Sequence, residues 1–180
     1  MARRLILLLG GARSGKSHHA ETWARGHGER VLFVATARAT DADMRARIAD
    51  HRASRPPDWQ TLEAPSDTAR QIAACPFEHD TLILDCITLL TSNILLGLPD
   101  SVSQQEANTA ALCEVDRLLE LHQCSAATWL LVSNEVGMGV VPPTRLGVLY
   151  RDMLGRANQR VAEAADEVLL LVAGIAWRLK

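Results

Sequence analysis

The chain has 180 residues, of which 48% are hydrophobic and 22% are charged, and this is the size and composition of one ordinary globular domain. Its formal net charge of −2 provides no global basic field, which argues against nucleic acid or an anionic membrane as a partner. The longest apolar stretch, 82–98, contains Asp85 and Asn93 and is too short and too polar for a transmembrane helix. We therefore expect a cytoplasmic protein with no membrane span.

The four cysteines form no C-x-x-C pair and have no zinc-finger spacing. Most of them lie in apolar runs, and we interpret them as buried thiols of a protein from a reducing compartment. They stand at Cys75, Cys86, Cys113 and Cys124.

Short apolar runs alternate with longer segments of helical periodicity, which predicts a single α/β domain over residues 1–180 with a mainly parallel sheet. Because the strands are apolar throughout, we expect helices on both faces of the sheet. Strands are predicted at 4–9, 31–35, 80–85, 128–133 and 167–172, with a C-terminal edge strand over 175–180. Helices are predicted at 16–26, 41–54, 66–75, 87–96, 103–123 and 144–164, with Asp41, Ser66 and Ser103 as N-caps.

The segment GGARSGKS, from Gly10 to Ser17, fits the phosphate-loop pattern G-x-x-x-x-G-K-[ST]. Glycines let backbone N–H groups surround a phosphate, and the helix that follows adds the positive end of its dipole. In such a loop Lys16 contacts the β- and γ-phosphates and Ser17 offers its hydroxyl to Mg²⁺. An ordinary glycine-rich turn is the competing interpretation, but the apolar strand before the segment and the helix after it favour a nucleotide site.

A phosphate loop needs a second Mg²⁺ anchor, usually an acid at the end of another strand. Asp85 ends the predicted strand at 80–85 and is therefore a candidate metal ligand together with Ser17. It could also cap the next helix, and the two roles do not exclude each other. The sequence contains no N-K-x-D guanine motif, which argues against a regulatory GTPase.

One histidine stands out in the segment RIADHRASRPPDW, which spans 47–59. On a helix over 41–54, Met44, Ile48 and His51 follow the spacing i, i+4, i+7, so the imidazole continues the inward-facing stripe. The prolines after it end the helix.

Two interpretations of His51 remain open on spacing alone. In the first, it is a packed histidine stabilised by the C-terminal dipole of its helix. In the second, the neutral imidazole attacks a nucleotide phosphate and forms a phosphoramidate. The neighbouring Arg52 and Arg55 would then hold the phosphates or stabilise charge in the transition state.

Several stretches, in order from residue 5 to the C-terminus, resemble the bifunctional adenosylcobinamide kinase / adenosylcobinamide-phosphate guanylyltransferase family. They are GGARSGKS, VATA, RIADHRASRPPDW, LILDCIT, SNEVGMGVVP and GRANQRVAEAADEVLLLVAGI. The stretch NEVGMGVVP and the His-Arg-x-x-Arg-Pro pattern are far more specific than the phosphate loop, which many enzymes share.

The resemblance implies a single-domain RecA-like P-loop NTPase fold and a homotrimer. It implies that ATP or GTP, with Mg²⁺, phosphorylates adenosylcobinamide. GTP then guanylylates a histidine with loss of pyrophosphate, and adenosylcobinamide phosphate takes the GMP to give adenosylcobinamide-GDP.

The family's functional residues carry over onto matching positions here. The GMP-carrying histidine falls on His51. The second catalytic residue, Lys16, and the Mg²⁺ ligands Ser17 and Asp85 come from the phosphate-loop pattern described above. Nucleotide contacts fall on Gly10, Gly11, Ala12, Arg13, Ser14, Gly15, Lys16, Ser17, Ala35, Thr36, Ala37, Arg52, Ala53, Ser54, Arg55, Glu63 and Asp85.

Glu135 follows the predicted strand at 128–133, and the carboxyl ends of such strands are where α/β sheets bind ligands. It could orient the acceptor hydroxyl or belong to a structural loop, while Gly137 and Gly139 allow close approach of a large ligand. Two other functions compete with the bifunctional enzyme. A plain metabolite kinase would use the phosphate loop and Asp85 with no covalent role for His51, and a nucleotide-gated assembly module would transfer no group.

Overall fold

The computed structural model describes residues 3–38, 52–53 and 55–180. Of the helix predicted over 41–54, the described residues include only positions 52 and 53, which are helical. Its predicted N-cap Asp41 and the candidate residues His51 and Ser54 lie outside the described residues.

Seven strands of the described chain form one sheet. They are β1 (Leu5–Gly10), β2 (Val31–Ala35), β3 (Gln60–Glu63), β4 (Thr81–Asp85), β5 (Thr128–Val132), β6 (Glu167–Val172) and β7 (Ile175–Arg178). Their spatial order is β3-β2-β4-β5-β1-β6-β7. Every neighbouring pair is parallel except β6 with the C-terminal edge strand β7. This is the mainly parallel sheet that the sequence predicts.

Among the described residues, five helices of six residues or more cover the sheet. They are α1 (Lys16–His27), α2 (Thr68–Ala73), α3 (Ile87–Leu96), α4 (Gln104–Cys124) and α5 (Arg145–Ala164). On one face, Ala20 and Ala24 of α1 pack against strand residues such as Ile6 and Phe33. On the other face, residues of α2 to α5 pack against the alternate strand positions. Helices on both faces are therefore confirmed, and the structure has the RecA-like P-loop architecture.

Two local predictions need correction, and a third is confirmed. No strand was predicted at β3, a four-residue edge strand whose half-exposed residues lack a continuous apolar run. Ser66 is not the N-cap of α2, because that helix begins at Thr68 and its N-cap is Asp67. Ser103 is confirmed as the N-cap of α4, where it forms a capping box with Glu106.

The cysteines also differ from the prediction of four buried thiols. Cys86 is buried and Cys75 is half-buried, but Cys113 and Cys124 lie on α4 and are exposed. Apolar neighbours along the sequence do not decide burial on an amphipathic helix, because only one of its faces meets the core. None of the helices that the structure describes combines the length and the apolar character needed to cross a bilayer.

The helices α4 and α5 extend beyond the carboxyl edge of the sheet. The hydroxyl of Ser133, just after β5, donates to Oδ1 of Asn158 at 2.6 Å, so Asn158 is level with that edge. Because α5 begins at Arg145, about 20 Å of helix lies beyond the sheet. A separate small core joins this projection to α3, formed by Leu95, Val102, Ala107, Ala111, Leu149 and Met153.

Candidate active site

The phosphate-loop segment connects β1 to α1 in a turn that needs glycine at two positions. Gly10 has φ +150°, and a Cβ there would overlap the carbonyl oxygen of Leu171 and lie 2.6 Å from Ser14 Oγ. Gly15 has φ +98°, and a Cβ there would lie 3.2 Å from Cα of Gly174. The strand-loop-helix context expected of a phosphate loop is therefore present, and both glycines are required by close backbone approach.

Lys16 lies under this loop. Its side chain is largely buried, with the residue only 7% exposed, and Nζ donates to the carbonyl oxygen of Gly11 at 2.6 Å and to Ser14 Oγ at 3.3 Å. Burial lowers the pKa of Lys16 below its ordinary value, and the nearby Cys86 and Asp85 oppose that shift. The ammonium is therefore held in a partly desolvated place, where a charge contact to a phosphate is strong.

The rest of the loop faces outward. Gly11, Ala12 and Arg13 are exposed, Ser17 is half-buried, and Arg13 has the positive φ of 58°. The loop therefore offers its backbone to solvent on the side away from the core.

The turn between β6 and β7 supports the phosphate loop from behind. The backbone N–H of Gly174 donates to the carbonyl oxygen of Ser14 at 2.9 Å. The sequence alone did not reveal this contact. No local signal shows that a turn more than 150 residues away along the chain reaches the loop.

Asp85 stands at the carboxyl end of β4, which is separated from β1 only by β5. It is half-buried, and it opposes the lowering of pKa that burial causes in both Lys16 and Arg55. The next helix is capped by Cys86, whose sulfur accepts from the backbone N–H of Leu89 at 3.5 Å. The capping role considered for Asp85 therefore belongs to its neighbour.

The end of β2 is tied to the end of β4 through Thr36. Its hydroxyl donates to the carbonyl oxygen of Cys86 at 2.8 Å and accepts from the N–H of Cys86 at 2.7 Å. Thr36 is fully buried, whereas Ala35 and Ala37 are half-buried. The structure thus places the Thr36 side chain between strands, and Ala35 and Ala37 beside it.

The two arginines lie together near the other end of the same edge. The Arg55 guanidinium carbon is 3.4 Å from the ring centroid of Phe33, and its Nη1 is 3.4 Å from Thr61 Oγ1. Arg52 forms an exposed ion pair with Glu63, with Nη1 and Oε1 3.7 Å apart. A cleft of about 240 Å³ is lined by Arg52, Arg55, Pro56, Pro57, Trp59, Gln60 and Thr61. Ala53, between the arginines, is exposed.

Glu135 lies directly against the phosphate loop. Its backbone N–H donates to the carbonyl oxygen of Gly10 at 3.1 Å. Its Oε1 accepts from the N–H of Gly137 at 2.7 Å, so the carboxylate also holds its own loop in shape. The structural role considered for Glu135 therefore has a contact to support it.

A buried polar network anchors the loop after β5 to the core, and sequence reasoning missed this network. Asn158, only 5% exposed, accepts from the Ser133 hydroxyl and donates Nδ2 to the carbonyl oxygen of Asn134 at 3.0 Å. The N–H of Asn134 donates to Thr88 Oγ1 at 2.7 Å. The network joins α3, α5 and the end of β5 at the edge where the phosphate loop lies.

A family model described as "Cobinamide kinase / cobinamide phosphate guanyltransferase" matches residues 6–179. The chain belongs to this family. The resemblance identified from the motifs is thereby confirmed over nearly the whole chain.

Curated relatives agree with that membership. The "Bifunctional adenosylcobalamin biosynthesis protein CobU" of Escherichia coli strain K12 is 40% identical over 181 residues, covering 98% of this chain and 99% of its own. The protein of the same name from Salmonella typhimurium strain LT2 is 41% identical with the same coverage. The "Bifunctional adenosylcobalamin biosynthesis protein CobP" of Pseudomonas aeruginosa is 42% identical over 174 residues, covering 97% of this chain and 96% of its own.

In this member of the family, we expect Asn158→Leu to lower the free energy of unfolding by about 2 kcal/mol, because the Ser133 hydroxyl and the Asn134 carbonyl lose their buried partner. Urea unfolding measures the change. The matched control is Gln159→Leu, an exposed amide on the same helix, which should change stability by less than about 0.5 kcal/mol. Equal losses in the two variants would contradict the network's importance.

Proposed function

We propose that this chain, acting as one domain over residues 1–180, first phosphorylates adenosylcobinamide with ATP or GTP and then transfers GMP from GTP to adenosylcobinamide phosphate. The products of the second reaction are adenosylcobinamide-GDP and pyrophosphate. The observation that carries the proposal is the family match over residues 6–179, on a chain whose phosphate loop and buried lysine have the geometry described above.

The phosphate loop is proposed to bind the triphosphate of either nucleotide through backbone N–H groups from Gly10 to Ser17. The loop is open outward at Gly11, Ala12 and Arg13, and α1 begins directly behind it, so its dipole favours anions at this place. The Lys16 ammonium would exchange its bond to the Gly11 carbonyl for phosphate oxygens.

Ser17 and Asp85 are proposed to hold Mg²⁺. A hydroxyl and a carboxylate are hard oxygen donors of the kind this ion prefers, and Asp85 ends β4 at the same edge of the sheet as the phosphate loop. When bound, the ion neutralises charge that develops on the phosphates.

The remaining nucleotide contacts are proposed at Ala35, Thr36, Ala37, Arg52, Ala53, Ser54, Arg55, Glu63 and Asp85. Ala35 and Glu63 are direct partners across β2 and β3, and Asp85 is the partner of Ala35 on the other side. Three strand ends thus bring their terminal residues to one edge. Two guanidinium groups beside a polar cleft suit a phosphate better than an apolar group.

In the proposed kinase step, the hydroxyl oxygen of the aminopropanol arm attacks the γ-phosphorus, and the bond from that phosphorus to the bridging oxygen breaks. Lys16 stabilises the negative charge that moves onto the leaving nucleoside diphosphate. Positioning and charge stabilisation supply most of the catalysis in reactions of this class.

In the proposed guanylyl step, a neutral ring nitrogen of His51 attacks the α-phosphorus of GTP, and pyrophosphate leaves. An imidazole with an ordinary pKa near 6.5 is mostly neutral at pH 7, so its lone pair is available. The phosphate oxygen of adenosylcobinamide phosphate then attacks the same phosphorus, and the P–N bond breaks to free the imidazole.

We expect His51→Ala to lose the covalent GMP but to keep phosphorylation of adenosylcobinamide. The measurement is incubation with α-labelled GTP and Mg²⁺, denaturation, and detection of acid-labile, alkali-stable label on the chain. His79→Ala, at the opposite edge of the sheet just before β4, is the control and should label normally. A His51→Ala variant that loses both activities while folded would contradict a separable role for this residue.

We expect Lys16→Ala to reduce both reactions by at least about a hundredfold, because both need the charge contact to the phosphates. The chain offers a clean control, since Lys180 is its only other lysine and donates to the carbonyl oxygens of Ala162 and Glu163, away from the loop. Rates of both reactions are compared for Lys16→Ala and Lys180→Ala. Wild-type turnover in the first variant would contradict the phosphate-loop assignment.

We further propose that the protein works as a cytoplasmic homotrimer. The exposed apolar residues Ile175 and Trp177 on the edge strand β7 support association of some kind, because monomers seldom expose such residues together. Sedimentation equilibrium should give a mass of three 19.6 kDa subunits. A monomer at micromolar concentration would contradict the proposal.

A further inference from the structure

The loop that follows Glu135 presents large apolar side chains to solvent. Met138 is 81% exposed, Val140 is 95% exposed and Val141 is 64% exposed. Three such residues within four positions are unusual for a surface with no ligand or partner, because burying them would be favourable. Their exposure also means that the fold does not depend on them.

The base of this loop is fixed beside the phosphate loop. The Glu135 N–H bonds to the Gly10 carbonyl, and the Asn134 N–H bonds to Thr88 Oγ1. Asn158 holds the Asn134 carbonyl from within the core. The base of the loop that carries the apolar tip is therefore held next to the phosphate loop.

The apolar surface continues along the projecting helices. Pro142 packs on Gly147, where an added Cβ would lie 2.7 Å from the proline Cβ, so the loop runs directly onto the start of α5. There Leu146 is 51% exposed, and Leu96 at the end of α3 is 67% exposed. Between them lies a cleft of about 260 Å³ that is lined by five leucines together with Pro99, Asp100, Val102 and Arg145.

This surface carries no charged side chain from Val136 to Pro143. Its backbone is open at Gly139, where nothing lies within 4 Å of a built Cβ, whereas a Cβ at Gly137 would lie 3.0 Å from Glu135 Oε1. Such a surface suits a broad, flat molecule with methyl groups and neutral amides. It does not suit a nucleotide or an ion.

We propose that Met138, Val140 and Val141 form the docking surface for the corrin macrocycle of the acceptor, a proposal that rests on the proposed function. Docked there, the macrocycle lies against the uncharged loop over 136–143, and its aminopropanol arm extends past Glu135 to the phosphate loop. The parts of α4 and α5 that extend beyond the sheet edge, together with the end of α3, provide a protein surface beside a ligand of this size.

The test compares wild-type protein with Val140→Ser and with the triple variant Met138→Ser, Val141→Ser and Val140→Ser. We expect the KM for adenosylcobinamide to rise about tenfold in the single variant and further in the triple variant. A tenfold loss of affinity corresponds to losing the burial of about one valine side chain by the ligand. The KM for GTP, kcat at saturating corrinoid, and covalent GMP labelling should change by less than about twofold, because these need no corrin contact.

The matched control is Leu179→Ser, which removes an apolar side chain that is 52% exposed after β7, and its KM for adenosylcobinamide should equal that of wild type. Equilibrium dialysis, read by the visible absorbance of the corrin, checks binding directly. The mass of each variant is measured in parallel by sedimentation.

The outcomes are distinguishable. If the wild-type protein phosphorylates adenosylcobinamide and the variants keep its KM, the docking surface is wrong while the proposed function stands. If sedimentation shows a changed mass, and only the variants with a changed mass have a raised KM for adenosylcobinamide, the surface is a subunit contact. That result would overturn the proposal. If wild-type protein shows no reaction with adenosylcobinamide, the proposed function itself fails.

Discussion

The absence of a side chain at Gly10 is the constraint on which the arrangement at the carboxyl edge of the sheet depends. Because no Cβ is present, β1 runs into the loop in direct contact with the Leu171 carbonyl of β6 and with Ser14. The same residue's carbonyl receives the N–H of Glu135 from the loop after β5. One glycine thus sets the positions of the phosphate loop and of the loop after β5, and any larger residue would separate them.

Buried polar groups fix the other strand ends, since apolar packing alone does not fix the position of a strand end along its axis. Thr36 exchanges two hydrogen bonds with the backbone of Cys86, and Asn93 donates to the Thr36 carbonyl at 2.8 Å. Asn158 likewise donates to the carbonyl oxygen of Asn134, just after β5. Each of these side chains bonds to a backbone group of another segment, so it gains that bond only when the segments reach one particular arrangement.

The sequence predicted the apolar strands well because a strand buried on both faces carries a signal in every residue. It did not predict β3, whose residues are half-exposed, or the exposure of Cys113, which depends on which face of α4 meets the core. The phosphate loop was recognisable because its chemistry is local. Asn158 was not, because one asparagine on an amphipathic helix resembles any solvated polar residue.

The two proposed reactions attack different phosphorus atoms, yet the chain has a single phosphate loop. Backbone N–H groups and the Lys16 ammonium recognise negative charge without distinguishing the phosphates of the chain, so they can hold the triphosphate for attack at either end. Selection must then come from the nucleophiles. The sheet order places the loop after β5 between β1 and β4, while the segment that carries His51 connects β2 to β3 beyond β4. In the proposed arrangement, an acceptor docked on the loop after β5 lies between the phosphate loop, which follows β1, and the carboxyl end of β4.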